Sequence, residues 1–432
     1  MGPMNTKRSR TGILAVTVAL TLGATACGDF FGVTSPGRVL DEDLNSPLAM
    51  PALVTGMSSD FSAALDEIAF LVGRASDEMT GSGSYFATGL FRRGKIDMEE
   101  VDGWWELAQR ARWVSEHGID RLRAVLDTAG AYSGNSLTVR AFLYAALANR
   151  VFGECFCETV IDSSPAQPIS TSFQRAVRWA DSAIAHASLL PDGSAKDLLL
   201  RVAHGVRAQA YVGLDDWGAA VADAALVPTD FVFHALYDDN SAREENVIYN
   251  ETWGRPEMSA YAVLAGSFTP PDPRAPWTNC NLTPRPMGCT SRYGASGDQT
   301  PHYRQDKYPE RGGDIPVVKG TEMRLIEAEE RLRAGDFVNA MAKINEARAP
   351  WGLGNLTAAD SAGAFTHLDN ERHLTLWLEA RRLFDLRRWN HPFLMGGGTV
   401  YPAENPRDSC IPIARLECVT NPNLSGHPSC AG

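Results

Sequence analysis

Cysteine is the chemistry-bearing residue that stands out in this 432-residue chain, which holds eight of them. Cys27 sits just after a short apolar run near the start and is set apart. Seven remain, an odd number: Cys155, Cys157, Cys280, Cys289, Cys410, Cys418 and Cys430. Cys280 and Cys289 enclose a short Pro-rich loop, which suits a disulfide in an oxidising compartment. Cys418 and Cys430 are spaced to close the tail. Cys155 and Cys157 are separated by one residue and rarely bond each other, so one of them is left to reach Cys410, and Cys157 is the candidate. A metal site would need spaced His or Cys pairs, which are missing, so neither metal nor cofactor is expected.

Catalytic patterns are equally absent. There is no H-E-x-x-H, no G-x-S-x-G, no phosphate-binding glycine loop and no C-x-x-C. Asp238-Asp239-Asn240 opens like a calcium loop, but Ala242 stands where the third ligand belongs, so it reads as a solvated turn. Glu99-Glu100 reads as exposed helix acids. Glycosidase work needs two carboxyls roughly 5–9 Å apart, which spacing along the chain does not establish. The Arg-rich run 381–388 alternates with acids and reads as structural ion pairs. No catalytic residue is expected. Sugar binding, in contrast, needs flat aromatic faces beside fixed polar groups. Two clusters qualify: Tyr85, Phe86 and Phe91 with Trp104, and Trp253, Trp277 and Tyr293. Tyr85, Trp253, Trp277 and Tyr293 sit in Gly- or Pro-rich stretches without helical period and are the candidate ligand-binding residues.

Composition narrows the function class. Lys plus Arg is 40 against 52 Asp plus Glu, a formal charge of −12. Nucleic acid, which demands a basic footprint, is excluded as a partner. An apolar fraction of 44% with 21% charged residues is ordinary globular composition and rules out wholesale disorder. Residues 1–11 carry Lys7, Arg8 and Arg10, and 12–23 are apolar and uncharged. That run is too short to span about 30 Å of hydrocarbon and has the form of a secretory signal. Ala24-Thr25-Ala26-Cys27-Gly28 follows and resembles a bacterial lipobox. The resemblance implies a signal peptide over 1–26, an acylated Cys27 and lipid anchoring. Gly28 in place of Asp favours the outer membrane. Loss of 1–26 removes three cations and takes the charge to −15.

The elements that must position these residues are helical. Residues 28–50 mix Gly, Pro and acids and read as an extended tether. From Pro51 to about Met79, Leu53, Val54, Met57, Phe61, Leu65, Ile68 and Val72 recur at three or four, an amphipathic helix. Residues 80–96 read as a Gly/Ser loop, and helices follow at about 101–127 and 136–152. In 198–228 and 321–350, apolar and mostly small residues recur at matching offsets: Ala208, Ala220 and Ala224, then Ala328, Ala340 and Ile344. Breaks at Gly213-Leu214-Asp215-Asp216 and Ala334-Gly335-Asp336 separate two helices in each. That is the tetratricopeptide arrangement, and Ala176, Ala180 and Ala183 repeat half of it. Residues 229–320 have no helical period and no strand pattern, yet many Pro and aromatics, so they read as an ordered irregular insertion. Residues 371–389 read as one strong helix with two apolar stripes, Trp377 and Phe384 on one of them. Ion pairs are expected there between Glu379 and Arg382, Arg381 and Asp385, and Asp385 and Arg388.

A family likeness runs through these residues in order. Cys27-Gly28-Asp29-Phe30-Phe31 with Pro36 resembles the mature start of the SusD/RagB outer-membrane nutrient-binding lipoproteins. Asp272-Pro273-Arg274 resembles that family's mid-chain motif. Glu322, Leu325, Ala328-Glu329, Gly335-Asp336, Ala340, Ile344-Asn345 and Arg348 resemble its last repeat pair. Glu371-Arg372, Glu379, Arg381 and Phe384-Asp385-Leu386-Arg387-Arg388-Trp389 resemble its C-terminal signature. Ile411-Pro412-Ile413 and Asn421-Pro422-Asn423 resemble its closing segment. Lys319-Gly320 departs from it, standing where the family usually has Arg and an aromatic.

The resemblance implies a mainly α fold, with tetratricopeptide-like pairs forming a right-handed superhelical scaffold and long irregular insertions. Over 51–432 the pairs are expected at about 136–228 and 321–390, with the ligand-binding insertion at about 229–320. It also implies a surface lipoprotein that captures an oligosaccharide, or a peptide, for a partner TonB-dependent transporter. The other readings of the sequence are a lipoprotein glycan hydrolase and a tetratricopeptide scaffold that binds only protein.

Overall fold

The computed structural model describes residues 41–261, 271–396 and 406–431. Two compact units divide the chain, Met1–Asn45 and Ser46–Gly432. In the first unit the described part is a single 3-10 turn, Asp41–Asn45. Cys27 and the signal 1–26 lie outside the described residues, as does the tether as far as residue 40. The second unit opens with another 3-10 turn, Pro47–Ala49. Ser46 caps that turn by accepting a hydrogen bond from the N–H of Leu48.

Helix α1, Met50–Ala75, buries the stripe read from the sequence, with Val54, Met57, Phe61, Leu65, Ile68 and Val72 each no more than 1% exposed. Residues 86–93 correct the sequence reading. Phe86–Arg93 is a helix, α2, ended by Gly94 in the left-handed conformation. Its Gly and Thr lower helix propensity, but Phe91 is fully buried on the core side, and that packing decides the conformation. Helices α3, Asp102–Leu126, and α4, Ser136–Cys155, follow, and α4 is buried along most of its length.

The paired helices come next: α5, Ser170–Ser188; α6, Ser194–Gly213; α7, Trp217–Ala224; α8, Gly320–Arg333; and α9, Phe337–Arg348. Ala176, Ala180 and Ala183 are fully buried, as are Ala208, Ala220, Ala224, Ala328 and Ala340, so the small side chains let the helices approach closely. The two interhelical turns share one geometry. Asp216 (φ −92, ψ 77) and Asp336 (φ −93, ψ 72) each cap the next helix, accepting from Ala219 and Asn339 N–H at 3.2 Å. Their own N–H groups reach back five residues, to the carbonyls of Tyr211 and Arg331. The preceding residue is left-handed in both, Asp215 at φ 58 and Gly335 at φ 79. The fold is mainly α, with tetratricopeptide-like pairs.

Short ribbons form where the sequence had no strand pattern, both in the insertion and outside it. Strands β1 (Thr80–Gly81) and β5 (Met258–Ser259) pair antiparallel, as do β2 (Glu158–Thr159) and β3 (Gln167–Pro168). So do β4 (Val232–Ala235) and β8 (Ile315–Lys319), and β6 (Trp277–Asn279) and β7 (Tyr303–Gln305). Runs of two to five residues are too short to show alternation. The β4–β8 ribbon closes the base of the insertion and returns the chain to α8.

The C-terminal signature is not one helix. Helix α10, Ser361–Thr375, stops, and α11, Arg382–Arg388, begins after a link in which Leu378 (φ 57) and Ala380 (φ 61) are left-handed. Side chains from distant elements replace the helical hydrogen bonds. Lys307 Nζ donates to the Trp377 carbonyl at 2.6 Å and Tyr308 Oη to that of Leu378 at 3.2 Å. Lys319 Nζ donates to the Thr375 carbonyl, and Leu378 N–H donates to Glu78 Oε1 at 2.7 Å. Glu379 therefore pairs with Lys307 and Lys319, at 2.6 and 2.7 Å, and not with Arg382. Arg382 holds Asp77 and Asp369, both at 2.6 Å. Arg381 bonds Glu322 at 2.7 Å and Glu154 at 3.0 Å. Asp385 does pair with Arg388, at 2.8 Å. Trp377 is fully buried, but in the link and not on a helical stripe. A short helix α12, Arg415–Thr420, closes the fold.

Disulfides join Cys157 to Cys410, Cys280 to Cys289 and Cys418 to Cys430, leaving Cys155 as a buried free thiol. Burial, with Glu154 beside it, pushes that thiol up to about 12.

Candidate functional site

Three segments far apart in sequence converge around Tyr85. Ser82 N–H donates to the Glu257 carbonyl at 2.9 Å, Ser296 N–H to that of Ser82 at 2.9 Å, and Ala295 N–H to that of Pro256 at 3.1 Å. The approach is close enough that a Cβ on Gly83 would overlap the Glu257 carboxylate, and one on Gly294 the Ser82 backbone. Gly83 belongs to the Gly/Ser run, and Gly294 to the Pro-rich insertion, whose purposes sequence periodicity leaves open.

Tyr85 stands just before α2 and is 40% exposed. The Arg255 guanidinium lies 4.1 Å from its ring centroid, a cation–π contact, and also donates to Tyr85 Oη at 3.1 Å. Glu257, fully buried, anchors this pair. It meets Arg255 Nε at 2.6 Å and accepts from Ser84 N–H at 3.1 Å. Thr88 links Glu257 to Arg74, whose Nη1 donates to Thr88 Oγ1 at 2.7 Å. Arg74 also lies 3.5 Å over Phe70. Burial draws its guanidinium down to about 10, against the pull of Glu67, Glu257 and Glu251. Burial and the neighbouring Glu257 hold the Glu251 carboxyl above the usual range. Glu251 Oε2 and Arg74 Nη2 have no hydrogen-bond partner among the described residues. Both atoms are themselves buried, and buried polar atoms are normally satisfied, so an enclosed water is their natural partner.

The four sequence candidates divide. Tyr85 and Tyr293, the latter 39% exposed, lie on the converging segments, as does Trp253, on the π-helical turn Asn250–Gly254. Trp253 is engaged by the protein itself. Arg304 lies 3.4 Å over its ring, Tyr249 stacks at 5.8 Å, and its Nε1 donates to the Gln305 carbonyl at 2.9 Å. Trp277, on β6, packs against the main core with its ring 5.2 Å from Tyr303. Phe86, 73% exposed, extends the apolar surface beside Tyr85. The Cys280–Cys289 loop carries Leu282 and Met287, 53% and 96% exposed. Sequence reasoning missed Arg255, Glu251 and Glu257. Their one sequence signal is spacing about Trp253, at two residues before, two after and four after.

Asp238-Asp239-Asn240 is an exposed turn closed by Asn240 N–H on Asp238 Oδ1 at 3.1 Å. Among the described residues no group of three or more His, Cys, Asp or Glu is placed to hold a metal ion, and no helix is long and apolar enough to cross a membrane.

The SusD family model matches residues 299–415, about a quarter of the chain, from β7 to the start of α12. Solved structures match far more of it. A SusD-like carbohydrate-binding protein from Bacteroides fragilis NCTC 9343 superposes with a TM-score of 0.67 over 88% of this chain and 99% of its own, at 13% identity. The chain carries a SusD-family segment on a SusD-like fold. A second SusD-like protein from the same strain gives a TM-score of 0.63 at 14% identity, over 89% of this chain and 97% of that one. A SusD superfamily protein from Bacteroides vulgatus ATCC 8482 gives 0.61 at 15% identity, over 87% and 97%. No curated protein matches. Within the SusD-like fold, the family segment is the part whose buried ion pairs tie α8, α10 and α11 together. The Tyr85 surface lies outside it.

Proposed function

We propose that this protein is a lipid-anchored outer-membrane receptor that binds a glycan without cleaving it and delivers it to a partner TonB-dependent transporter. One observation carries the binding reading: an exposed aromatic surface, Tyr85 with Phe86 and Tyr293, set beside the partly exposed Arg255 guanidinium. Tyr85 is held rigid by Arg255 and Glu257, and a preorganised aromatic costs little entropy on binding. The Arg255 guanidinium, 43% exposed beside the ring, supplies donors, the polar complement of a sugar ring. The SusD-like neighbours described as carbohydrate-binding support the ligand class. The short apolar leader and Cys27 support the anchor. The absence of catalytic patterns from the sequence supports binding without turnover. Calorimetry over a panel of oligosaccharides and peptides tests the reading. An oligosaccharide should bind and remain intact, and Tyr85→Ala should weaken it at least about tenfold, as loss of an aromatic hot spot does. Binding unchanged by Tyr85→Ala moves the site elsewhere, a peptide as sole ligand changes the class, and hydrolysis makes the protein an enzyme.

A further inference from the structure

A separate cleft of about 570 Å³ opens between α3, the loop at 160–163 and α12. Its size is that of a small-ligand site, about 300–1,000 Å³. Trp105, Glu106, Gln109 and Trp113 line it from one face of α3, at helical spacings of one, three and four. Trp105 forms the floor, 4% exposed and edge-on to Phe152 and Phe156 at 5.3 and 5.4 Å. Trp113 is 49% exposed and backed by His117, stacked at 4.2 Å. Leu416, 57% exposed, stands on the opposite wall.

The walls are fixed before any ligand arrives. Cys157–Cys410 ties together the strands of chain leading into them, and Cys418–Cys430 braces α12. Asp162 (φ 49) and Ser163 (φ 62) are consecutive left-handed residues. Asn423 Nδ2 holds that loop by donating to the Ser163 carbonyl at 2.9 Å. Gln109 Nε2 donates to the Val160 carbonyl at 2.8 Å.

Charge in the cleft is unbalanced. Its two guanidiniums are already neutralised: Arg112 meets Glu116 and Asp162, both at 2.8 Å, and Arg110 meets Asp60 at 3.1 Å. Three lining carboxylates have no cation among the described residues. Asp102 accepts only from Leu416 N–H at 2.8 Å. Glu417 accepts from Trp105 Nε1 at 3.2 Å and Asn421 Nδ2 at 3.0 Å. Glu106 is exposed and accepts nothing. A cleft lined by one sign of charge focuses its field on the opposite sign, and an exposed indole adds cation–π attraction.

We propose that this cleft binds a short basic peptide, taking a Lys or Arg side chain between Glu106, Glu417 and the Trp113 indole. The side chain's aliphatic stem suits Leu416 and Trp105. A short peptide fits better than a docked protein, because a cavity of about 570 Å³ has the size of a small-ligand site and admits a side chain with its adjoining backbone.

Calorimetry on the full chain with tri-arginine and tri-lysine, and tri-serine as control, tests it. Both basic peptides should bind, tri-serine should not, and affinity should fall as salt is raised. Trp113→Ala should weaken binding about tenfold, the loss expected of a cation–π contact, and Glu106→Gln about threefold, that of an exposed ion pair, while Tyr85→Ala leaves it unchanged. Both positions are exposed, and melting curves establish that the variants fold. No heat from either peptide at millimolar concentration overturns the proposal. So do wild-type affinity in both cleft variants, loss of binding in Tyr85→Ala, and displacement of tri-arginine by a neutral oligosaccharide.

Discussion

Arg372 and Asp385 clasp the two halves of the C-terminal signature across the break between them. Arg372 Nε donates to Asp385 Oδ2 at 2.7 Å and Nη2 to Oδ1 at 3.0 Å, and both side chains are no more than 2% exposed. Burial alone would raise the Asp385 carboxyl, but Arg372 and Arg388 hold it well below the usual carboxylate range. Asp385→Asn should therefore destabilise the fold by about 3–5 kcal/mol, the cost of leaving a buried charge unpaired. Arg372→Met with Asp385→Leu should recover most of that loss. Urea unfolding measures both, and a single variant as stable as wild type contradicts the clasp.

Cys157–Cys410 closes a loop of 253 residues in sequence separation. On loop-entropy grounds such a bond contributes about 2–5 kcal/mol. Cys157→Ala with Cys410→Ala should lower stability by that order. Peptide mapping without reductant should recover Cys157 and Cys410 as one linked species, with Cys155 alkylated only after unfolding. Recovery of Cys155 linked to Cys410 would show the other pairing.

Trp377 has no exposed surface and donates Nε1 to the Glu78 carbonyl at 3.3 Å. Its replacement by Ala should cost about 3–5 kcal/mol. Trp277 is only half buried, and Trp277→Ala should act through stability, with ligand affinity retained at temperatures where the variant is folded. Loss of affinity in folded Trp277→Ala would return that residue to the binding surface.

His302 sets a pH dependence. It is 1% exposed with Nε2 3.1 Å from the Thr252 carbonyl, and burial pushes it down to about 4. An unfolded His titrates near about 6.5, so between these values the unfolded chain binds more protons. The His302 contribution to stability then rises with pH across that window, and is lost as the solution is acidified from about 6.5 to about 4. His302→Gln keeps a donor but cannot titrate, and should flatten the slope of urea midpoint against pH. An unchanged slope means that His302 is not its source.

Cys27→Ser should release the protein from membranes or leave the leader uncleaved. Mass spectrometry of the mature amino terminus reads the outcome directly. An unacylated Cys27, or cleavage at another site, removes the anchor from the proposed function.

Local pattern was enough for much of the scaffold. The stripe from Val54 to Val72 wrote α1 into the chain, because period alone decides which face of a helix is buried. The small residues at Ala208, Ala220 and Ala224, with Gly335-Asp336 and its counterpart at Asp215-Asp216, marked the helical pairs for a similarly local reason: close approach needs small side chains, and the turn needs a left-handed residue before a capping Asp. Tyr85 and Tyr293 were legible as surface aromatics because they stand where no helix claims them.

The link at 376–381 was not legible, although its residues read as helix. Lys307, Lys319, Tyr308 and Glu78 supply its hydrogen bonds from 60 to 300 positions away in sequence, a range over which no periodicity operates. Glu379 was spaced for Arg382, but a carboxylate pairs with the cations that share its buried space, and tertiary packing put two lysines there. The same holds for Arg255 and Glu251 at the Tyr85 surface. Composition determined that this chain would be acidic and globular, and periodicity that it would be helical. Which buried charges meet, and which guanidinium comes to lie against an exposed ring, depends on distances through space, and only the folded chain sets those.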